Sequence, residues 1–292
     1  MSFAIVTDTS ANLPTPLTQQ WGVTVVPFCY YIDGAEHACT DTEAFDGEGY
    51  YNGMRRGVKV TTSQVSPGRY MDYMRPLLEA GQDVLYIGMS SGISGSFASA
   101  GIAAEGLREE FPERQIRLVD TYGASLGEGL MVRRAVLCRD EGQNIEETEA
   151  ALLALRPRMY QVFTVDDLMH LRRSGRLSNL SAVVGTVLHI KPLLKGNERG
   201  QIISFEKIRG RRQAIEALAA KYDTLAQNPG EQVVGIAHAG CEAEAHYLEE
   251  LLRKNRPPRE ILTVCYEPVT GSHVGPGTLA LFFEGDADVR LK

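Results

Sequence analysis

The chain has 292 residues, 43% of them hydrophobic and 23% charged, with a formal net charge of −7. That length predicts two domains of ordinary size, and the composition is that of a globular protein. The acidic balance argues against a general binder of nucleic acid or of anionic membrane surfaces.

The opening residues Phe3-Ala4-Ile5-Val6 lack the basic start of a signal peptide, and no apolar run approaches the roughly 18–20 residues a membrane helix needs. A cytoplasmic location is expected. Five cysteines without a CxxC or zinc spacing read as reduced thiols. No HExxH and no helical histidine pair occurs, so no metal site is expected.

Short apolar runs alternate with helical patterns. Residues 3–7 read as a buried strand. A helix follows over 13–21, with Asn12 as N-cap and Pro14 near its first position. Residues 23–32, rich in β-branched and aromatic side chains, read as one strand that ends at the Asp33-Gly34 turn. A helix opening at Ser66-Pro67, a strand over 84–87, a helix over 97–109, a strand over 116–119 and a helix over 125–140 continue the alternation. This pattern predicts a doubly wound, mainly parallel sheet, with ligands at the carboxyl ends of its strands. A helix over 146–155 runs out near Pro157, which places a boundary between an N-terminal α/β domain, 1–158, and a second α/β domain, 159–292. In the second, strands are expected at 161–164, 182–188, 202–205, 233–237, 261–266 and 279–283. Helices are expected at 212–225 and 242–252.

The sharpest motif is Gly88-Met89-Ser90-Ser91-Gly92-Ile93-Ser94-Gly95-Ser96, between a strand and a helix. One reading is an anion cradle. A helix start offers free N–H groups and partial positive charge, and the serines add hydroxyl donors. No lysine follows, so this is not a nucleotide phosphate loop; a neutral, hydroxyl-rich cradle suits a single carboxylate. The other reading is a serine hydrolase. Gly88-Met89-Ser90-Ser91-Gly92 fits G-x-S-x-G, and Asp120 and then His238 or His273 follow in the order of that fold. No HGGG-type oxyanion segment accompanies it.

A second hydroxyl cluster is Thr61-Thr62-Ser63-Gln64, read as a strand end running into the next helix. Asp8-Thr9-Ser10 reads as a turn before a helix. His273 lies in Thr270-Gly271-Ser272-His273-Val274-Gly275-Pro276-Gly277, which reads as a Gly/Pro-rich loop. Residues 170–214 hold ten basic and two acidic side chains, a balance of +8 against −15 for the rest. A basic island on an acidic chain is expected to face something anionic.

Taken together these motifs resemble the DegV family. Asp8-Thr9-Ser10-Ala11-Asn12-Leu13-Pro14, Val26-Pro27, Thr62-Ser63-Gln64, Ser91-Gly92-Ile93-Ser94-Gly95-Ser96, Asp120-Thr121, Arg173-Ser174-Gly175-Arg176 and Gly271-Ser272-His273-Val274-Gly275-Pro276-Gly277 occur in the family's order. Ser96, Val65 and the basic Gly210-Arg211-Arg212 depart from its usual pattern. The resemblance implies a two-domain α/β fold that holds a long-chain fatty acid between its domains. It implies a carrier of the FakB type and not an enzyme, with no cofactor beyond the lipid. A partner fatty acid kinase would convert the carboxylate to an acyl phosphate. A transient encounter with a membrane is compatible with this role; nucleic acid is not a partner. The resemblance further implies that Thr62 and Ser94 donate to the carboxylate, with the Gly95 N–H and His273 beside them and Thr61, Ser63 and Ser91 nearby. Arg173, Arg176 and Arg209 would sit at the pocket mouth or the kinase surface. Candidate tail-lining residues are Ile93, Phe97 and the run 183–194.

Overall fold

The computed structural model of the protein describes residues 3–178 and 190–292. The chain forms two compact units, Met1–Phe45 with Thr61–Arg156, and Asp46–Val60 with Pro157–Lys292.

In the first unit, β1 (Phe3–Asp8) pairs in parallel with β2 (Val23–Val26). The segment expected as a single strand over 23–32 is broken at Pro27-Phe28. β2 joins β1, while β3 (Cys29–Ile32) turns through Asp33 and Gly34 onto the antiparallel β4 (Ala35–Ala38). Both turn residues have positive φ, 51° and 82°, the two-residue hairpin geometry that Asp-Gly favours. The expected N-cap at Asn12 is also corrected. Asn12 ends a 3-10 turn, Thr9–Ala11, in the left-handed region, and helix α1 (Thr15–Gln20) starts after Pro14.

Helix α2 (Gly47–Arg55) belongs to the second unit, and β5 (Val60–Ser63) joins β3 and β4 in a three-stranded sheet. Then come α3 (Pro67–Glu79), β6 (Asp83–Gly88), α4 (Ser96–Glu110), β7 (Ile116–Asp120), α5 (Leu126–Asp140) and α6 (Ile145–Leu155). Asn144 and Glu147 close a reciprocal capping box at the start of α6. The main sheet is wholly parallel, in the order β2-β1-β6-β7. The chain therefore winds outward in both directions from β1 and β6. Their carboxyl ends form the topological switch point, where sheets of this kind bind ligands.

The second unit is built on a mixed six-stranded sheet. Its strands are β8 (Met159–Thr164), β9 (Ile190–Gly196), β10 (Ile202–Arg209), β11 (Val233–His238), β12 (Glu260–Cys265) and β13 (Leu279–Glu284), in the order β10-β9-β8-β13-β11-β12. Only β11 and β12 pair in parallel. Among the described residues, helices α7 (Leu168–Arg173), α8 (Arg211–Leu225), α9 (Glu242–Asn255) and α10 (Pro268–Val274) belong to this unit together with α2. Tyr160, Leu193, Leu218, Ile236, Leu281 and Phe283 anchor its core, each such buried side chain contributing about 1.5–3 kcal/mol. Helix α2 is tied to this unit by polar side chains. Tyr51 donates to the Tyr266 carbonyl, Tyr50 to that of Pro268 and Arg55 to that of Gly240, each at 2.8 Å. The strand expected over 182–188, and the part of the tail-lining run over 183–189, lie outside the described residues.

Candidate functional site

The loop leaving β6 is shaped by Ser90. Its carbonyl accepts the Ile93 and Ser94 N–H groups at 3.2 Å, and its Oγ accepts the Gly92 N–H at 3.1 Å. That folds residues 90–94 into a tight turn and delivers Ser94 and Gly95 to the start of α4. Ser94 Oγ donates to Ser96 Oγ at 3.0 Å and accepts the Ser96 N–H at 3.2 Å. Ser96 is fully buried.

The segment leaving β5 is stitched to the same helix start. The Val65 N–H donates to Ser96 Oγ at 3.2 Å, and the Gln64 carboxamide donates to Ser99 Oγ at 3.2 Å. The residues that follow Thr61-Thr62-Ser63 on the chain, Gln64 and Val65, are thus bonded to the first turn of α4. A β-carbon at Gly95 would run into the Gln64 carboxamide, so that side chain would have to move aside. The Gly95 N–H finds no acceptor among the described residues. Of the other predicted residues in this unit, Thr62 and Ser63 are half-buried on β5, and Thr61 is exposed. Ser91 is exposed too, its N–H held by the Asp120 carboxylate at 3.3 Å.

His273 belongs to the second unit. The loop reading of its surroundings is corrected: residues 268–274 form α10. Pro268 sits in the first turn, where its missing N–H costs nothing. The Glu267 carboxylate accepts the Val269 and Thr270 N–H groups. The chain leaves α10 at Gly275 with φ +86°, where a β-carbon would also lie 2.7 Å from the His170 ring. His170 is itself fixed by a 2.6 Å contact from Nε2 to the Ser272 carbonyl. Burial, then the Arg176 charge and His170, push the His273 imidazole down to about 4. His273 is therefore neutral at neutral pH, a hydrogen-bonding group and not a cation. Arg176 is half-buried, with its guanidinium on the Ser174 carbonyl, and burial lowers its pKa.

Residues 2–286 match the family described as "Uncharacterised protein, DegV family". The chain belongs to the DegV family. A DegV domain-containing protein of Clostridium perfringens is 35% identical over 284 residues, 97% of this chain and 98% of its own. Among solved structures, a DegV family protein from Thermus thermophilus described for its fatty acid binding superimposes with a TM-score of 0.88. It is 33% identical, over 98% of this chain and 100% of that one. A fatty acid binding DegV family protein from Streptococcus agalactiae gives a TM-score of 0.85 at 30% identity, over 98% and 99%.

The DegV fold gives the hydrolase reading no support. Ser90 is fully buried and its hydroxyl builds the turn, while the Asp120 carboxylate accepts the backbone N–H groups of Ser91 and Tyr122. The basic island is also smaller than its sequence balance suggests. Its counter-charges come from outside the stretch: Asp167 pairs with Arg173, Asp166 with Lys191, Glu244 with Arg211 and Glu216 with Arg212. Lys195 is buried on the Arg290 carbonyl. Arg209 is exposed at the end of β10, without an ion pair among the described residues. Those residues contain no cluster of metal-ligating side chains and no helix long and apolar enough to cross a membrane.

Sequence reasoning named Ser96, Gln64 and Asp8 only as parts of motifs, and it missed Tyr70, Tyr86 and Glu128 and the support that all six give beneath the cradle. Ser96, Gln64, Tyr70 and Tyr86 hold it, and below them lie two fully buried carboxyl groups, Asp8 and Glu128. Glu128 carried a signal: it is an acidic residue amid Leu126, Leu130, Met131 and Val132, all buried on the same helix.

Proposed function

We propose that this chain binds a long-chain fatty acid and holds its carboxylate on Ser94, the Gly95 N–H and Thr62, with Thr61, Ser63 and Ser91 around them. The observation that carries this reading is the start of α4 at the switch point, where Ser94 and a Gly95 N–H without an acceptor among the described residues lie together. It offers donors at a helix start, with no lysine in residues 88–96 and no metal-ligating cluster among the described residues, which suits one carboxylate better than a phosphate chain. The DegV relatives described as binding fatty acids support the same ligand class. His273, neutral at working pH, is proposed as a further hydrogen-bonding contact. Half-buried Ile93 and Phe97 are proposed to meet the tail.

Affinity should come mainly from the tail. Each buried CH₂ contributes about 0.8 kcal/mol, so a sixteen-carbon chain supplies ~12 kcal/mol before ordering costs. Charge-assisted hydrogen bonds add about 1.5–3 kcal/mol each and fix which end stays at the hydroxyls. The finer reading is a cytoplasmic carrier that presents the carboxylate to a fatty acid kinase, with Arg173, Arg176 and Arg209 on the partner-facing or anion-facing side. In that arrangement the kinase is the catalyst.

The test is the Thr62→Ala, Ser94→Ala double variant, compared with the wild type for lipid retained after delipidation and reloading with palmitate or oleate. Loss of retention in a folded variant is expected; full retention would remove the headgroup assignment. Acyl phosphate made by a fatty acid kinase and ATP only when the loaded chain is present would support the carrier role.

A further inference from the structure

Asp8 ends β1 and Glu128 lies in the first turn of α5, and both are fully buried. Ser10 stands between them, its Oγ in contact with Asp8 Oδ1 and 2.7 Å from Glu128 Oε2. A serine hydroxyl has one proton, and ionised carboxylates only accept. Both contacts can be hydrogen bonds only if one carboxyl group is protonated. Thr7 asks for no second carboxyl proton: its one hydroxyl proton goes to the Ile87 carbonyl at 2.8 Å or to Glu128 Oε1 at 3.0 Å, and either oxygen accepts it. Asp8, by contrast, collects the Ser10 N–H at 2.9 Å, the Tyr86 O–H at 2.7 Å and the Met89 N–H. Glu128 is thus the acid, and Asp8 the ion.

A chain of hydroxyls leads from Asp8 to the cradle. Tyr86 donates to Asp8 Oδ2, Tyr70 lies 2.8 Å from Tyr86, Ser96 bonds Tyr70, and Ser94 donates to Ser96. With Asp8 ionised, every proton in the chain points inward, including that of Ser94. A bound carboxylate needs the Ser94 proton pointing outward.

Resting on the fatty-acid reading, we propose that Asp8 and Glu128 are positioning residues that set the direction of this chain, and that binding a fatty carboxylate takes up one proton onto Asp8. The proton comes from solvent and ends on Asp8 Oδ2. Tyr86, Tyr70 and Ser96 then each turn to donate toward Ser94, and Ser94 donates to the ligand. No other O–H bond changes hands. Glu128 still donates to Ser10, and Ser10 still donates to Asp8 Oδ1. Ser96 accepts from Tyr70 and from the Val65 N–H, and Ser94 accepts from Ser96, so every hydroxyl stays satisfied.

The surroundings favour the uptake. The titratable groups facing Asp8 are Glu128 from α5, Tyr86 from β6 and Tyr70 from α3. Asp8 has no ion pair among the described residues, and burial raises its pKa. A second anion at the other end of the chain adds to the cost of leaving Asp8 charged.

The test is calorimetry of delipidated wild-type protein titrated at pH 7 with oleate, delivered monomeric from cyclodextrin, in buffers of different ionisation heat. We expect about one proton taken up per oleate, and affinity that rises about tenfold per unit fall in pH. Asp8→Asn, whose amide donates to Tyr86 without titrating, should bind oleate with no uptake. Tyr70→Phe cuts the chain at one oxygen, keeps the ring and should also abolish the uptake. Binding by the wild type without proton uptake, or unchanged uptake in either variant, overturns the proposal and leaves the fatty-acid reading standing. Failure of the wild type to bind oleate overturns both.

Discussion

The Val65 N–H donates to the hydroxyl of Ser96 at 3.2 Å, tying the exit of β5 to the first residue of α4. Both residues are buried, so this bond fixes the exit of β5 against the start of α4. Ser96→Ala leaves a buried N–H without its acceptor, which costs about 1–3 kcal/mol. Urea unfolding should show a lower midpoint with an unchanged slope, together with weaker lipid retention.

Gly95→Ala is expected to damage the ligand site more than the fold. The new β-carbon displaces the Gln64 side chain, which then loses Ser99. Lipid retention should fall while the unfolding midpoint moves little. Shortening the obstacle in Gly95→Ala, Gln64→Ala should restore part of the retention. Equal loss in both variants would show that the methyl group acts on the ligand and not on Gln64.

His273 makes stability depend on pH. The unfolded chain binds a proton there near the ordinary value of 6.5, and the folded chain only near 4. Below pH 6.5 the unfolded state therefore gains protons that the folded state refuses. Stability contributed by the neutral imidazole is complete above about 6.5, declines as pH falls through the window and levels off below about 4. In His273→Asn this part of the profile should flatten, as read by unfolding midpoints across pH 4–7.

The cap of α10 is a fourth point of leverage. Glu267 accepts two N–H groups at the start of a seven-residue helix. Glu267→Ala should cost about 0.5–2 kcal/mol, read as a lower thermal midpoint. Glu267→Gln, which keeps one acceptor oxygen, should recover part of it.

The parallel sheet of the first unit was legible because β1, β6 and β7 are short runs of Val, Ile and Leu between helical patterns. The misreadings have different causes, two of them local signals that were passed over and one a set of tertiary contacts. Residues 268–274 carry Gly271 and precede Gly275, so they read as a loop, yet Glu267 and Pro268 start a helix there. Helix α2 has glycines at 47, 49 and 53 and is held by tyrosine and arginine contacts that no periodicity reveals. The run 23–32 looked continuous because β-branched residues flank Pro27, and the proline separates strands of two different sheets. At the site, Ser94, Gly95 and the cluster on β5 were readable as motifs. The Asp8–Glu128 pair was not, because a residue at the end of β1 and one in α5 become neighbours only through the fold.

Whether the chain carries a fatty acid is read by native mass spectrometry of the purified protein, followed by organic extraction and lipid identification. One adduct per chain that extracts as a long-chain fatty acid is expected. A bare mass that stays bare after incubation with palmitate and with oleate would overturn the fatty-acid reading.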